Sequence, residues 1–134
     1  MNPKITVVGS LNMDLVIRTA KLPKEGETLM AEYAAEAPGG KGANQAVAIG
    51  KLKSPVSLLG KIGPDAHGAA LVQSLRQAGV DTTHVLTSAS RTGLAVVTVD
   101  RSADNQIVVV PGANHDLTPA DIESERTVIE QSEI

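Results

Sequence analysis

The sequence contains no cysteine, tryptophan or phenylalanine, and its single aromatic residue is Tyr33. Without cysteine there is no disulfide framework and no thiolate chemistry, which fits a reducing cytoplasm. Without large aromatics the core has to be built from Val, Leu, Ile and Ala. Each of these buries less area than Phe or Trp, so a wide stability margin is not expected. Basic excess is missing as well. The formal net charge is -3, which offers no positive field to nucleic acid or to an anionic membrane surface. Long hydrophobic runs are absent: Ile5–Val8 is broken by Gly9 and Ser10, too short for a signal-peptide core or a membrane span. None of the pairs Gly40-Lys41, Gly50-Lys51 and Gly60-Lys61 is followed by Ser or Thr, which removes a Walker A loop. No G-x-S-x-G elbow occurs, so serine-hydrolase chemistry has no support. The histidines His67, His84 and His115 lie far apart without metal-ligand spacing and read as structural or surface residues.

What remains is a soluble globular pattern. The chain has 134 residues, 42% hydrophobic and 20% charged, the size of one domain that buries roughly two-thirds of its unfolded surface. Strands are predicted over 4–9, 13–19, 28–35 and 56–62, and over 94–99 and 107–110 as a hairpin with a polar turn at 100–105. Helices are predicted over 43–52, after the glycine-rich loop 38–42, and over 66–78. The second is capped by Asp65 and stopped at Gly79. A last helix starts with Thr118 as cap and Pro119 at its first position. The strand–helix–strand–helix order around residues 42–80 implies parallel pairing with right-handed crossovers. The segments 13–35 and 94–110 do not alternate with helices and read as a small β-sheet layered over an α/β unit.

Two polar clusters stand where a packed core does not need them. The first, Gly9–Asp14, follows the opening strand, and ligands of parallel α/β sheets bind beyond the carboxyl ends of strands. Asn12 and Asp14 alternate on one side of an extended segment, so both can face one pocket. An ionised Asp accepts hydrogen bonds and an Asn both donates and accepts, which suits a vicinal diol. The competing reading is a turn, for which Asn and Asp are equally common. The second cluster is Gly39–Asn44. Its three glycines let the backbone approach a ligand and present N–H groups at a helix start. Lys41 adds donors, and Asn44, one turn in, can point back at the same ligand. The alternative there is a flexible loop with a solvated lysine.

Five stretches in order, GSLNMD at 9–14, PGGKGANQAVA at 38–48, KIGPDAHG at 61–68, RTGLA at 91–95 and PGAN at 111–114, resemble the ribokinase family of carbohydrate kinases. The resemblance implies a parallel sheet with flanking helices whose sugar site is covered by a β-sheet lid. It also implies that Asn12 and Asp14 bond sugar hydroxyls, that Gly40, Lys41 and Asn44 hold the other side, and that Ala95 and Val109 of the lid supply apolar contacts. Lys41 favours the ribose-phosphorylating branch over fructose and adenosine kinases. Implied too are a cytoplasmic enzyme that phosphorylates D-ribose to ribose 5-phosphate and a homo-oligomer paired through lid strands or an exposed sheet edge. ATP, Mg2+ and a monovalent cation are expected in the later half of family chains. That half carries an Asp-Thr-x-Gly-Ala-Gly-Asp motif that this sequence lacks, so residues 1–134 are expected to be an N-terminal portion without turnover of its own. The alternative is a non-catalytic sugar-binding or lid-dimerisation module. One departure from the family is local: Lys53 stands where a small residue usually ends the first helix, so that helix end is expected to differ.

Overall fold

The computed structural model describes residues 2–134. In chain order the strands are β1 (Ile5–Val8), β2 (Asn12–Arg18), β3 (Tyr33–Gly39), β4 (Val56–Ile62), β5 (Val85–Thr87), β6 (Gly93–Val99) and β7 (Asn105–Val110). The helices are α1 (Lys41–Lys51), α2 (Ala66–Gln77), α3 (Pro119–Ser124) and α4 (Arg126–Glu130), with a 3-10 turn over Gly112–Asp116. They form two sheets. The body is a parallel sheet in the order β1-β4-β5, and the lid is a four-stranded sheet in the order β3-β2-β6-β7. This is the expected α/β body with flanking helices and a small β-sheet lid.

The body holds the core. β4 reads VSLLGKI and is buried along almost its whole length, as a parallel strand covered on both faces must be. Leu58, Leu71 and Leu75 are nearly inaccessible, and they pack with Val7, Ala46, Val56 and Val80. Small residues let the layers close. Gly50 of α1 lies against the Ala78 carbonyl at the end of α2, where a Cβ would not fit. Asp65 caps α2 by accepting from Gly68 N–H, and Gly79 leaves the helix with φ 84°, as the sequence implies.

The lid is thinner. β2 pairs in parallel with β6 and antiparallel with β3, and β6 turns through Asp100–Asp104 into β7. The Asp100 carboxylate holds that turn by accepting from the N–H groups of Ser102 and Asp104.

Three local expectations need correction. The strand predicted over 28–35 is displaced to Tyr33–Gly39, because its register is set by β2: Gly39 lies opposite Asn12 and Tyr33 opposite Arg18. Residues 28–32 lie outside the sheet, with Met30 90% exposed. Pro38 is tolerated inside β3 because that strand is an edge, where one N–H fewer breaks no ladder. Next, α1 starts at Lys41 rather than Ala43, with Gly40 as the residue before it. Finally, Lys53 does not avoid the left-handed position that closes α1. The residue adopts the left-handed conformation itself, φ 64°, and closes a Schellman-type end through Lys53 N–H to Gly50 O and Ser54 N–H to Ile49 O.

The last residues return to the body. Thr118 and Asp121 form a reciprocal capping box at α3. Beyond α4, Glu133 N–H bonds Lys4 O and Thr6 N–H bonds Ile134 O. These two bonds lie along the outer edge of β1, and Val8 just beyond them is 48% exposed.

Candidate functional site

The two polar clusters meet where β1 ends and α1 begins. Gly9 and Gly42 touch backbone to backbone: a Cβ on Gly42 would lie 2.7 Å from Gly9 Cα. Ala43 N–H bonds Ser10 O at 3.0 Å. Gly40, at φ 97°, passes so close under the Gly9–Asp14 segment that a Cβ there would lie 2.9 Å from the Asn12 nitrogen. Here the glycines are required by close approach as well as by a left-handed backbone.

Strand register explains which side chains share a face. Asp14 lies opposite Ala37 on one side and Ala95 on the other, and Ala95 lies opposite Val109. These four form one row across the lid, pointing to one face. Asn12 stands two residues nearer the body on that face, between Gly39 and Gly93. The sheet therefore groups Asn12, Asp14, Ala95 and Val109. Ala95 is buried, whereas Val109 is 53% exposed.

The Asp14 carboxylate rests against Gly39, where a Cβ would strike it. Burial pushes its pKa up, and no hydrogen bond or neighbouring charge among the described residues offsets that. A partly desolvated carboxylate with no protein donor keeps its lone pairs free to accept hydrogen bonds from a ligand. Lys41 and Asn44 stand exposed in the first turn of α1. Asn44 lines a cavity of about 190 Å³ with Gly39, Pro38, Leu71 and Ser74. Neither Asn12 nor Asp14 is among that cavity's walls, so the two clusters are joined through Gly39 and do not share one enclosed pocket.

The site's frame is held by a second aspartate. Asp65 accepts from Thr92 N–H at 2.8 Å and from the Thr92 hydroxyl at 2.7 Å, besides capping α2. Burial raises its pKa, but the bonds from Thr92 and Gly68 outweigh that and lower it overall. Thr92 leads directly into β6, so the carboxylate fixes where the lid begins. Sequence reasoning assigned Asp65 only its capping role. It also gave Asn114 no role, although the side chain of Asn114 bonds both Leu11 and Asn12. The PGAN resemblance was the available signal.

Two histidines pair with carboxylates, His67 with Glu36 at 3.0 Å and His84 with Glu125 at 2.6 Å. Among the described residues no three His, Cys, Asp or Glu side chains converge where they would hold a metal ion. No helix among them is long and apolar enough to cross a membrane. A cavity of about 700 Å³ lies between the C-terminal ends of α1 and α2, beside Lys53, Pro55 and Gly79. That is the end of the sheet opposite to the polar clusters.

The profile of pfkB family carbohydrate kinases matches residues 2–134. The chain belongs to the pfkB family. Ribokinase from Lactococcus lactis subsp. lactis is 41% identical over 139 residues, covering 98% of this chain and 46% of that relative. Deoxyribokinase from Salmonella typhimurium is 42% identical over 120 residues, covering 89% and 39%. The structure of Arabidopsis thaliana ribokinase complexed with ribose and ATP superposes with a TM-score of 0.83 at 36% identity, over 98% of this chain and 44% of that one. These pfkB relatives are sugar phosphotransferases, and the chain spans less than half of their length.

Proposed function

We propose that residues 1–134 form the sugar-binding N-terminal portion of an ATP-dependent sugar kinase of the ribokinase type, whose whole reaction converts D-ribose to ribose 5-phosphate. The observation that carries this reading is the Asp14 carboxylate. It is half-buried, lacks a donor, sits on the same lid face as Asn12, and rests against the glycine loop that starts α1. A pair of sugar hydroxyls supplies the donors and the acceptor that this arrangement lacks. Gly40, Lys41 and Asn44 approach the same sugar from the helix start, and Ala95 and Val109 close over its apolar edge.

No three His, Cys, Asp or Glu side chains converge among the described residues, and the proposal assigns the binding of ATP, Mg2+ and a monovalent cation to the part of the relatives that lies outside the match. The chain's own contribution is to hold and orient the sugar and to keep water from part of it. Phosphoryl transfer depends on positioning the phosphate and stabilising its charge, so the isolated chain is proposed to have no turnover. The proposed location is the cytoplasm, in line with the absence of cysteine.

The reading is tested by calorimetry with D-ribose and with 2-deoxy-D-ribose, since relatives with both names match about equally. A parallel assay follows transfer of labelled phosphate from ATP. Sugar binding without transfer is the expected result. Transfer by the purified 134-residue chain contradicts the division of labour, and no binding of either sugar contradicts the site.

A second reading has its own support. Ile107, Val108, Val109 and Val110 are all more than half exposed, so both faces of β7 offer apolar surface. We propose that copies of this chain associate through the lid, and a monodisperse monomer in light scattering at high concentration would refute it.

A further inference from the structure

Asn114 sits in the 3-10 turn Gly112–Asp116, and its side chain makes three hydrogen bonds. Its Oδ1 accepts from the Leu11 N–H at 2.9 Å. Its Nδ2 donates to the Leu11 carbonyl at 2.9 Å and to Asn12 Oδ1 at 2.7 Å. The first two bonds remove all choice. A peptide N–H only donates and a peptide carbonyl only accepts, so the Asn114 amide can lie against Leu11 in one orientation alone. Turning it over would set donor against donor and oxygen against oxygen. Once it is oriented, its second Nδ2 proton needs an acceptor, and the Asn12 side-chain oxygen provides it. The Asn12 amide is fixed in consequence. Its oxygen is used inside the protein, and its two N–H donors point away from Asn114 on the lid face that carries Asp14.

The backbone around this relay is shaped for it. A Cβ on Gly93 would collide with both Asn12 Oδ1 and Asn114 Nδ2, so a glycine keeps the passage between them open. Gly112, at φ 53°, turns the chain so that Asn114 faces back toward Leu11. Ala113 N–H anchors the turn on the Arg91 carbonyl at 2.7 Å.

We propose that Asn114 is a positioning residue that sets the polarity of the sugar site. It holds Asn12 with donors outward beside the acceptor-only carboxylate of Asp14, so the site selects a ligand with an acceptor and a donor on neighbouring atoms, as vicinal hydroxyls provide. This rests on the sugar-site reading above. An unheld Asn12 would present either end of its amide and would lose that selectivity.

The test has one arm without sugar and one with it. In the ligand-free chain, hydrogen exchange of labelled side-chain amides is read by NMR. The Asn114 Nδ2 protons are expected to exchange about tenfold or more slowly than those of exposed Asn44, as bonded protons do, while those of Asn12 exchange at the exposed rate. Protection at Asn12, or none at Asn114, overturns the orientation whatever the sugar does. The second arm is calorimetry with D-ribose on the unmodified chain, Asn114→Asp, Asn12→Ala and the double variant. A carboxylate at 114 still accepts from Leu11 N–H, but its other oxygen replaces the donor that faced the Leu11 carbonyl and Asn12. The bond to that carbonyl is therefore lost, Asn12 turns its oxygen outward, and affinity falls about tenfold. In the Asn12→Ala background the same substitution changes affinity by less than about twofold, the coupling signature of a residue acting through Asn12. Equal losses in both backgrounds mean that Asn114 only braces the loop, and overturn the proposal. Absence of D-ribose binding by the unmodified chain, with the exchange pattern as expected, removes the sugar reading and supports the orientation alone.

Discussion

β4 and β7 are built from the same kinds of residue and meet opposite fates. Six of the seven β4 residues, Val56–Leu59, Gly60 and Ile62, are buried, whereas every residue of β7 is exposed although Ile107–Val110 are all β-branched and apolar. Composition does not separate them; layering does. β4 lies between β1 and β5 in the packed body, and β7 is the outer strand of the lid sheet, where all six of its residues are exposed. The body therefore holds most of the buried core, and the lid carries exposed apolar surface and the proposed sugar-binding groups. Asp14 illustrates the division, since burial disfavours its charged form and no group among the described residues compensates.

The sharpest way to break this contrast is a pair of truncations. Leu58→Ala, in the inaccessible core, is expected to cost about 2–5 kcal/mol. Val108→Ala, 67% exposed, is expected to stay within about 0.5 kcal/mol. Denaturant unfolding of both variants at low concentration is the measurement. A costly Val108→Ala whose cost grows with protein concentration would show the lid to be covered by a second copy.

Acid separates the regions next. Lys61 donates to Asp121 at 2.7 Å, and with the bonds from Thr118 this holds the Asp121 carboxyl at about 2. Asp65, Asp81 and Asp116 are also lowered, each by hydrogen bonds to its charged form. A depressed folded-state pKa contributes stability above the unfolded value, here 3.8, and that stability is lost as pH falls toward about 2. Asp14 in the lid has the opposite sign: its raised pKa favours the protonated folded form, so its contribution to stability worsens as pH rises through the carboxylate range. A pH series of unfolding curves is expected to show a steep loss below 3.8, shallower in Asp121→Asn. An unchanged slope in that variant would contradict the assignment.

The smallest effect belongs to the body. Lys53→Gly relieves a left-handed lysine, φ 64°, and is expected to raise stability by roughly 0.5–1 kcal/mol. A loss on thermal unfolding would mean that the lysine side chain makes an offsetting contact.

Much of the body could be read from local pattern, because its elements are fixed by residues close in sequence. The apolar run Val56–Ile62, the cap at Asp65 and the stop at Gly79 each announce themselves. The β6–β7 hairpin was equally legible from two β-branched runs around a polar turn. β3 was not, since its own pattern favours residues 28–35 while pairing with β2 decides its register. β5, with three residues, is too short to carry a period. In the site, the spacing of Asn12 and Asp14 was legible as two residues on one strand face. Asn114 was not, because its role follows from the polarity of a peptide bond 103 residues earlier.

The central claim is that Asn12–Asp14 and Gly39–Asn44 hold one small polyol between them. An NMR titration of the labelled chain with D-ribose reads both clusters at once. Saturable shifts at the backbone amides of both stretches, sharing one dissociation constant and abolished together by Asp14→Ala, are the predicted result. Shifts confined to one stretch, or centred on the cavity beside Lys53 and Gly79, would contradict it.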